Sequence, residues 1–241
     1  MHSTNMFKNY IFRFTLRLCV LLTVAAVWFF DRTALDFTQN TRLLHPLNLL
    51  WLLFFLSFAL QLSPTSRVSR GCLKQFPAHF HKIEAAVDEL RVKTQLRRLD
   101  LGATRVAIAW LLLNGTVAAL YFLGILAVPE MLLLASFYYV CDLICIIFYC
   151  PFQHLFMKNK CCVTCRIFAW GTIMIATPLI FVPHVYSWSL VALALICTVL
   201  WEVRYRRYPT HFLEETNAFL ACENCTDRLC VIKRRAKYMK K

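Results

Sequence analysis

Six long apolar segments dominate this chain, and their length sets the fold class. The hydrocarbon core of a bilayer is about 30 Å thick, which a helix of roughly 20 apolar residues can cross. Hydrophobic residues make up 59% of the sequence, well above the approximate 45–50% of soluble domains. The sequence therefore predicts an all-α, polytopic membrane helix bundle. The last two segments are short, so a re-entrant pair is the alternative there. The six segments lie near residues 10–30, 44–62, 105–127, 131–149, 167–183 and 186–202.

Lysine and arginine are unevenly distributed along the chain, and this predicts the orientation of the bundle. With the N-terminus inside, the outer loops near 31–43, 128–130 and 184–185 contain only Arg32 and Arg42 of the 27 basic residues. Basic loops remain on the cytoplasmic side of a membrane, so we expect N-in and C-in. The net charge of +14 then reflects topology and attraction to anionic lipid headgroups. We do not expect nucleic-acid binding.

The first apolar run follows three basic residues, as in a signal sequence. These are Lys8, Arg13 and Arg17, and the run from Leu18 to Phe30 has no small-residue pair for cleavage at its end. We therefore expect an uncleaved first helix. The long side chains of Arg13 and Arg17 are predicted to extend toward the lipid headgroups.

The predicted organisation is one bundle followed by a short tail. Residues 1–202 form the transmembrane bundle, which includes a cytoplasmic segment with one apolar face at about 79–101. This segment is predicted to be an amphipathic helix that lies in the interface or covers the inner ends of the bundle. Residues 203–241 form a basic cytoplasmic tail with cysteines and a short predicted helix from Leu213 to Ala221.

Seven cysteines fall in two tight clusters on the predicted cytoplasmic side. All twelve cysteines of the chain lie in that half, where thiols stay reduced, so the clusters favour metal binding over disulfides. Each cluster contains a C-x-x-C unit, and two such units can complete one tetrahedral site of four thiolates. The predicted ligands are Cys150, Cys161, Cys162, Cys165, Cys222, Cys225 and Cys230, with His154 nearby in sequence.

The identity of the metal is left open by the sequence. More thiols are present than one zinc ion needs, and they lie where a quinone or a membrane redox partner can approach. This favours an iron–sulfur cluster with a redox or electron-transfer function. The alternative is a structural zinc that joins the tail to the loop before the fifth segment, in a non-enzymatic scaffold or accessory subunit. Plain reduced thiols are a further interpretation. Enzymatic activity stays undecided, since motifs for nucleotide binding and hydrolysis are absent.

Asp142 is the only carboxylate well inside a predicted span, which makes it a functional candidate. Asn114 on the third segment lies at a similar depth, so we expect a hydrogen bond between these two side chains. That bond could serve packing alone or a proton or ion relay. A third hypothesis for the protein is a soft-metal transporter or sensor, with Asp142, Cys141 and Cys145 lining an inner vestibule.

Several motifs in the second half resemble an uncharacterised family of bacterial integral membrane proteins with cytoplasmic cysteine clusters. The resemblance covers roughly Cys141 to Lys233. It implies a multi-pass protein of the bacterial cytoplasmic (inner) membrane, and it transfers no activity and no catalytic residue. The motifs are C-P-F-Q, K-C-C-V-T-C-R-I-F-A-W, P-L-I-F-V-P, Y-S-W-S-L-V-A-L-A-L and C-E-N-C-T-D-R-L-C.

Overall fold

Helices provide the regular structure of this protein. The computed structural model describes residues 3–36, 46–63, 69–83 and 88–225, together with 227, 229 and 230. Within these residues no strand forms, apart from one isolated bridge between Lys82 and Asn217. The predicted all-α class is confirmed. The α-helices are α1 (Ser3–Phe30), α2 (Pro46–Ala59), α3 (Arg70–Leu73), α4 (Glu89–Phe122), α5 (Val128–Ile147), α6 (Gly171–Ala176) and α7 (Val185–Arg207).

Four helices, α1, α4, α5 and α7, are long and apolar enough to cross a membrane. Two apolar rods are shorter: α2, and a rod made of α6 with the 3-10 turns on both sides of it, Phe168–Phe181. Four of the six predicted spans therefore reach full length in the structure. Large apolar side chains such as Phe12, Leu112 and Val199 are more than half exposed on the long helices. Such a surface suits a lipid environment.

Helix α1 runs antiparallel to α5. Toward the C-terminal end of α5, the guanidinium of Arg17 from the middle of α1 lies 2.7 Å from the carboxylate of Asp142. Near the other end, the indole N–H of Trp28 donates to Glu130 at 2.6 Å. We call the end that carries the loop after α5 and the C-terminal tail the inner end of the bundle.

Helix α2 runs parallel to α7. The indole of Trp51 donates to Ser189 at 2.9 Å, and further along both helices the Cys197 thiol lies 3.6 Å from the carbonyl of Phe58. The Phe168–Phe181 rod packs against α5 and α7. The short rods thus lie alongside the long helices within one bundle.

Helix α4 begins later than the sequence predicted. Residues 80–83 form an extended segment that pairs with the tail, and 84–87 lie outside the described residues. The helix starts at Glu89, where the side chain of Asp88 caps it by accepting from the N–H of Leu90 at 3.0 Å. From there α4 continues without a break, so the predicted surface helix is the first part of a long one.

The predicted helix from Leu213 to Ala221 is wrong. Short 3-10 turns form in this part of the tail. The fully buried side chain of Asn217 hydrogen-bonds to backbone groups that a helix would otherwise pair with one another. Its oxygen accepts from the N–H groups of His81 and Phe219, at 3.2 and 3.1 Å. Its nitrogen donates to the carbonyl of His211 at 2.9 Å. One amide therefore docks the tail onto the segment after α3.

Replacing Asn217 with alanine should loosen the tail. The change leaves three backbone groups without their side-chain partner, at about 1–3 kcal/mol for each group that water does not reach. We expect a loss of about 2–3 kcal/mol in unfolding free energy and faster proteolysis of the tail, measured by denaturation and limited digestion in detergent. The exposed Glu223→Ala serves as the matched control. Equal digestion rates for N217A and wild type would contradict the docking role.

Candidate functional site

A cavity of about 380 Å³ lies at the inner end of the bundle, bordered by α4, α5, α6 and the loop after α5. Its wall is largely apolar and aromatic, with Trp110, Tyr138 and Phe152 among the lining residues. Helix α5 contributes two thiols and the following loop contributes three. We call this space the thiol cavity. Its cysteines are Cys141, Cys145, Cys150, Cys162 and Cys165.

Gln153 contacts two of these cysteines, and both of them contact a third, Cys145. Its backbone N–H donates to the Cys150 sulfur at 3.4 Å, while the Cys162 thiol lies 2.6 Å from its side-chain oxygen. The same thiol lies 3.1 Å from the carbonyl of Cys145, whose side chain hydrogen-bonds with that of Cys150. The geometry comes from a single π-helical turn, Gln153–Met157, which is followed by Lys158 with a φ of 52°. This turn brings the Cys150 and Cys162 sulfurs to one residue, Gln153.

The other predicted ligands lie outside the thiol cavity. Cys161 packs against a separate apolar cluster. In the tail, Cys222 and Cys230 are exposed and Cys225 is half-buried. No three His, Cys, Asp or Glu side chains of the described ranges are arranged to hold a metal ion. The two C-x-x-C units thus do not assemble one four-thiolate site in this conformation.

A buried lysine lies behind the thiol cavity. The amino group of Lys74 donates to the carbonyls of Cys165 at 3.1 Å and Val163 at 3.5 Å, and its side chain is 1% exposed. Burial lowers the pKa of Lys74 to about 8 and raises the pKa of the Cys165 thiol to about 11. Cys165 is therefore a neutral thiol at pH 7, and a metal would have to displace its proton.

Asp142 pairs with Arg17, so the predicted hydrogen bond between Asp142 and Asn114 is wrong. The Asn114 amide instead donates to the carbonyl of Trp110 at 3.1 Å and accepts from the Tyr138 hydroxyl at 3.5 Å. A guanidinium is a stronger partner for a carboxylate than a neutral amide. Arg17, expected to extend toward the headgroups, is turned into the bundle by this pair.

The carboxylate of Asp142 also separates two cavities. It lines the thiol cavity on one side and a cavity of about 240 Å³, with both polar and apolar lining residues, on the other. Helix α6 starts directly against it, since a Cβ atom added to Gly171 would lie 2.5 Å from the Asp142 oxygen. A larger residue at this position would force the Asp142 carboxylate to move.

A second polar network joins the loop after α5 to α7. Both terminal nitrogens of Arg166 contact the carboxylate of Glu202 at 2.6 Å, and Trp170 donates to the same carboxylate at 2.7 Å. The guanidinium also lies 3.6 Å from the ring centre of Tyr205. Sequence reasoning missed this network, although an acidic residue within the basic inner segments was a usable signal. The network fixes the loop that carries Cys165.

Comparison with protein-family models, with curated proteins and with solved structures gives no match for this chain. The family resemblance of the Cys141 to Lys233 region is therefore a sequence-based expectation. The roles of individual residues rest on the geometry described above.

Replacing Asp142 with asparagine should destabilise the protein, because Arg17 would keep its charge in a low-dielectric site without a counter-ion. We expect a loss of about 3 kcal/mol, measured as unfolding free energy in detergent. The double variant R17M/D142L should recover much of that loss. Arg32→Ala is the control, since its pair with Glu130 is half exposed and is worth less than about 1 kcal/mol. A double variant less stable than D142N would contradict a paired role.

Iodoacetamide should label the tail cysteines well before Cys165 and Cys72. Cys222 and Cys230 are exposed, whereas burial raises the pKa of Cys165 to about 11 and that of Cys72 to about 12. Because the thiolate reacts, labelling of the buried pair should stay low from pH 7 to 9 and increase above pH ~10. Peptide mapping by mass spectrometry measures each site. Denatured protein is the control, and rapid labelling of Cys165 at pH 7 would contradict its burial.

Proposed function

We propose that this chain is a six-pass protein of the bacterial cytoplasmic membrane, with both termini inside. The contacts of α2 along α7, and of the Phe168–Phe181 rod along α5 and α7, support two short spans beside the four long ones. The concentration of Lys and Arg in the inner segments supports the orientation. The family resemblance supports the bacterial membrane.

We propose further that the thiol cavity is a cysteine-ligated metal centre, with an iron–sulfur redox or electron-transfer function. The observation that carries this proposal is that five thiols from α5 and the next loop line one cavity. Thiolates select soft metals such as zinc, Cu(I) and iron in clusters. Cys145, Cys150 and Cys162 would be the primary ligands, because hydrogen bonds already link them, and their side chains would have to rearrange from this conformation to hold a metal ion.

An iron–sulfur cluster would supply one-electron transfer at this place. The chain's own residues would position it through the π-helical turn at Gln153 and exclude water through the aromatic wall. The same apolar wall offers a contact surface for a quinone or a membrane redox partner. Cys141 and Cys165 line the same cavity and are the remaining candidate ligands there.

The two alternative functions are a scaffold held by structural zinc and a soft-metal transporter or sensor. A zinc that staples the tail is less needed, because Arg70 already donates to the tail carbonyls of Phe219 and Asn224. A soft-metal transporter or sensor gains support, because Asp142 and Cys141 line the same cavity as the loop thiols. We retain the soft-metal transporter or sensor as the alternative function.

Anaerobic purification with metal analysis and a visible spectrum tests the proposed centre. We expect iron with acid-labile sulfide and a brown protein, and we expect the C150S/C162S variant to lose at least about nine-tenths of its metal, since each lost thiolate removes a metal bond. The C222S/C225S variant, in the exposed tail, is the matched control and should keep its metal. Stoichiometric zinc that is lost only from C222S/C225S would contradict this proposal and favour the zinc scaffold.

A further inference from the structure

Two thiols of the thiol cavity contact each other directly. The side chains of Cys145 and Cys150 share a hydrogen bond, and both line the same space of about 380 Å³. Both residues are half-buried. The cavity therefore holds a pair of adjacent thiols that a small molecule can reach.

The end of α5 creates this contact. In a continuing helix, two residues five positions apart point about 140° away from each other around the axis. Helix α5 ends at Ile147, and Pro151 disfavours a helical conformation at the residue before it, Cys150. The chain therefore leaves the helix before Cys150, which allows this side chain to meet that of Cys145.

The backbone prepares Cys150 for reaction. The N–H of Gln153 donates to its sulfur at 3.4 Å, and a hydrogen bond donated to sulfur stabilises the thiolate. The thiolate is the form of cysteine that reacts with oxidants. Cys150 is therefore the attacking thiol, and Cys145 beside it is the partner that can resolve the product.

The third thiol of this group, Cys162, is held in a different way. It is buried, and it lies 2.6 Å from the side-chain oxygen of Gln153 and 3.1 Å from the carbonyl of Cys145. A thiol that donates to oxygen acceptors is stabilised in its protonated form. Cys162 is therefore the weaker competitor for reaction with Cys150.

We infer that Cys145 and Cys150 form a reversible disulfide when the metal-free protein meets hydrogen peroxide. The Cys150 thiolate attacks one peroxide oxygen, the O–O bond breaks, and a sulfenic acid forms while the other oxygen leaves as hydroxide. The proton that the Cys150 thiol released converts this hydroxide to water. The sulfur of Cys145 then attacks the Cys150 sulfur, the S–O bond breaks, and the second water leaves. Two electrons pass from the two sulfurs to the peroxide oxygens.

A disulfide at this place acts on the proposed metal centre. Cys145 and Cys150 are two of its three proposed primary ligands, so the disulfide would exclude the metal from the cavity. This consequence rests on the proposed function, whereas the disulfide itself does not. Disulfides in a reducing compartment are usually transient and serve catalysis or redox sensing, so reduction by cellular thiols would open the site again.

Peptide mapping of the full chain tests this inference. The protein is purified anaerobically, treated with a chelator and exposed to a small molar excess of hydrogen peroxide, and the remaining thiols are then blocked with N-ethylmaleimide. Mass spectrometry without reduction identifies each link. We expect a link between Cys145 and Cys150 that dithiothreitol reverses. The C145S variant should lose this link and accumulate the sulfenic acid of Cys150, which dimedone traps.

The matched control is C141S, which removes another α5 thiol from the same cavity and should leave the link unchanged. Thermal melting identifies any variant that fails to fold. Mapping of the wild-type chain needs no substitution, so the inference stays testable even if C145S does not fold.

Three results would overturn the inference. They are a link between Cys150 and Cys162 in place of the expected one, oxidation confined to the exposed Cys222 and Cys230, and oxidation of Cys150 to the sulfinic acid without any link. The metal content of the untreated protein reports separately on the proposed function. A chain that holds no metal and still forms the link would refute the metal centre alone.

Discussion

The ion pair between Arg17 and Asp142 is the interaction on which the inner half of the bundle depends. Both side chains are mostly buried, at 12% and 20% exposure, in a region where an unpaired charge costs several kcal/mol. Two helices with apolar exteriors could slide or rotate against each other at little cost in lipid. A buried charge pair fixes the register of α1 against α5, and Gly171 brings α6 onto the same carboxylate.

This pair also lies between two cavities. Asp142 forms part of the wall of the thiol cavity, and Arg17 forms part of the wall of the cavity of about 240 Å³ on the other side. A change in the charge of either side chain would therefore alter the electrostatic potential in both cavities. The connection between the two spaces is one hydrogen bond of 2.7 Å.

The sequence predicted which segments of the chain form helices. It did not predict how each helix is rotated about its axis, or which contacts single side chains make. The lengths of the apolar segments in the sequence predicted the positions of the four long helices and the two shorter apolar rods. Asn114 was predicted as the partner of Asp142 because the two residues lie at a similar depth in the predicted membrane. Depth does not determine which way a helix face points, and the partner is Arg17 of α1. The tail was predicted as a helix from its composition, whereas Asn217 determines its path by three hydrogen bonds. The Asp88 cap of α4 was readable from the sequence and was overlooked.

The unequal lengths of the rods have a consequence for the surrounding membrane. Helix α2 has 14 residues and is about 21 Å long, while the uncharged part of α4, residues 106–122, is about 26 Å long. The hydrophobic belt of the protein is therefore narrow on one side and wide on the other. A bilayer must thin or the protein must tilt to match both sides, at a fraction of a kcal/mol per Å. Such a protein deforms its own lipid annulus, most strongly beside α2.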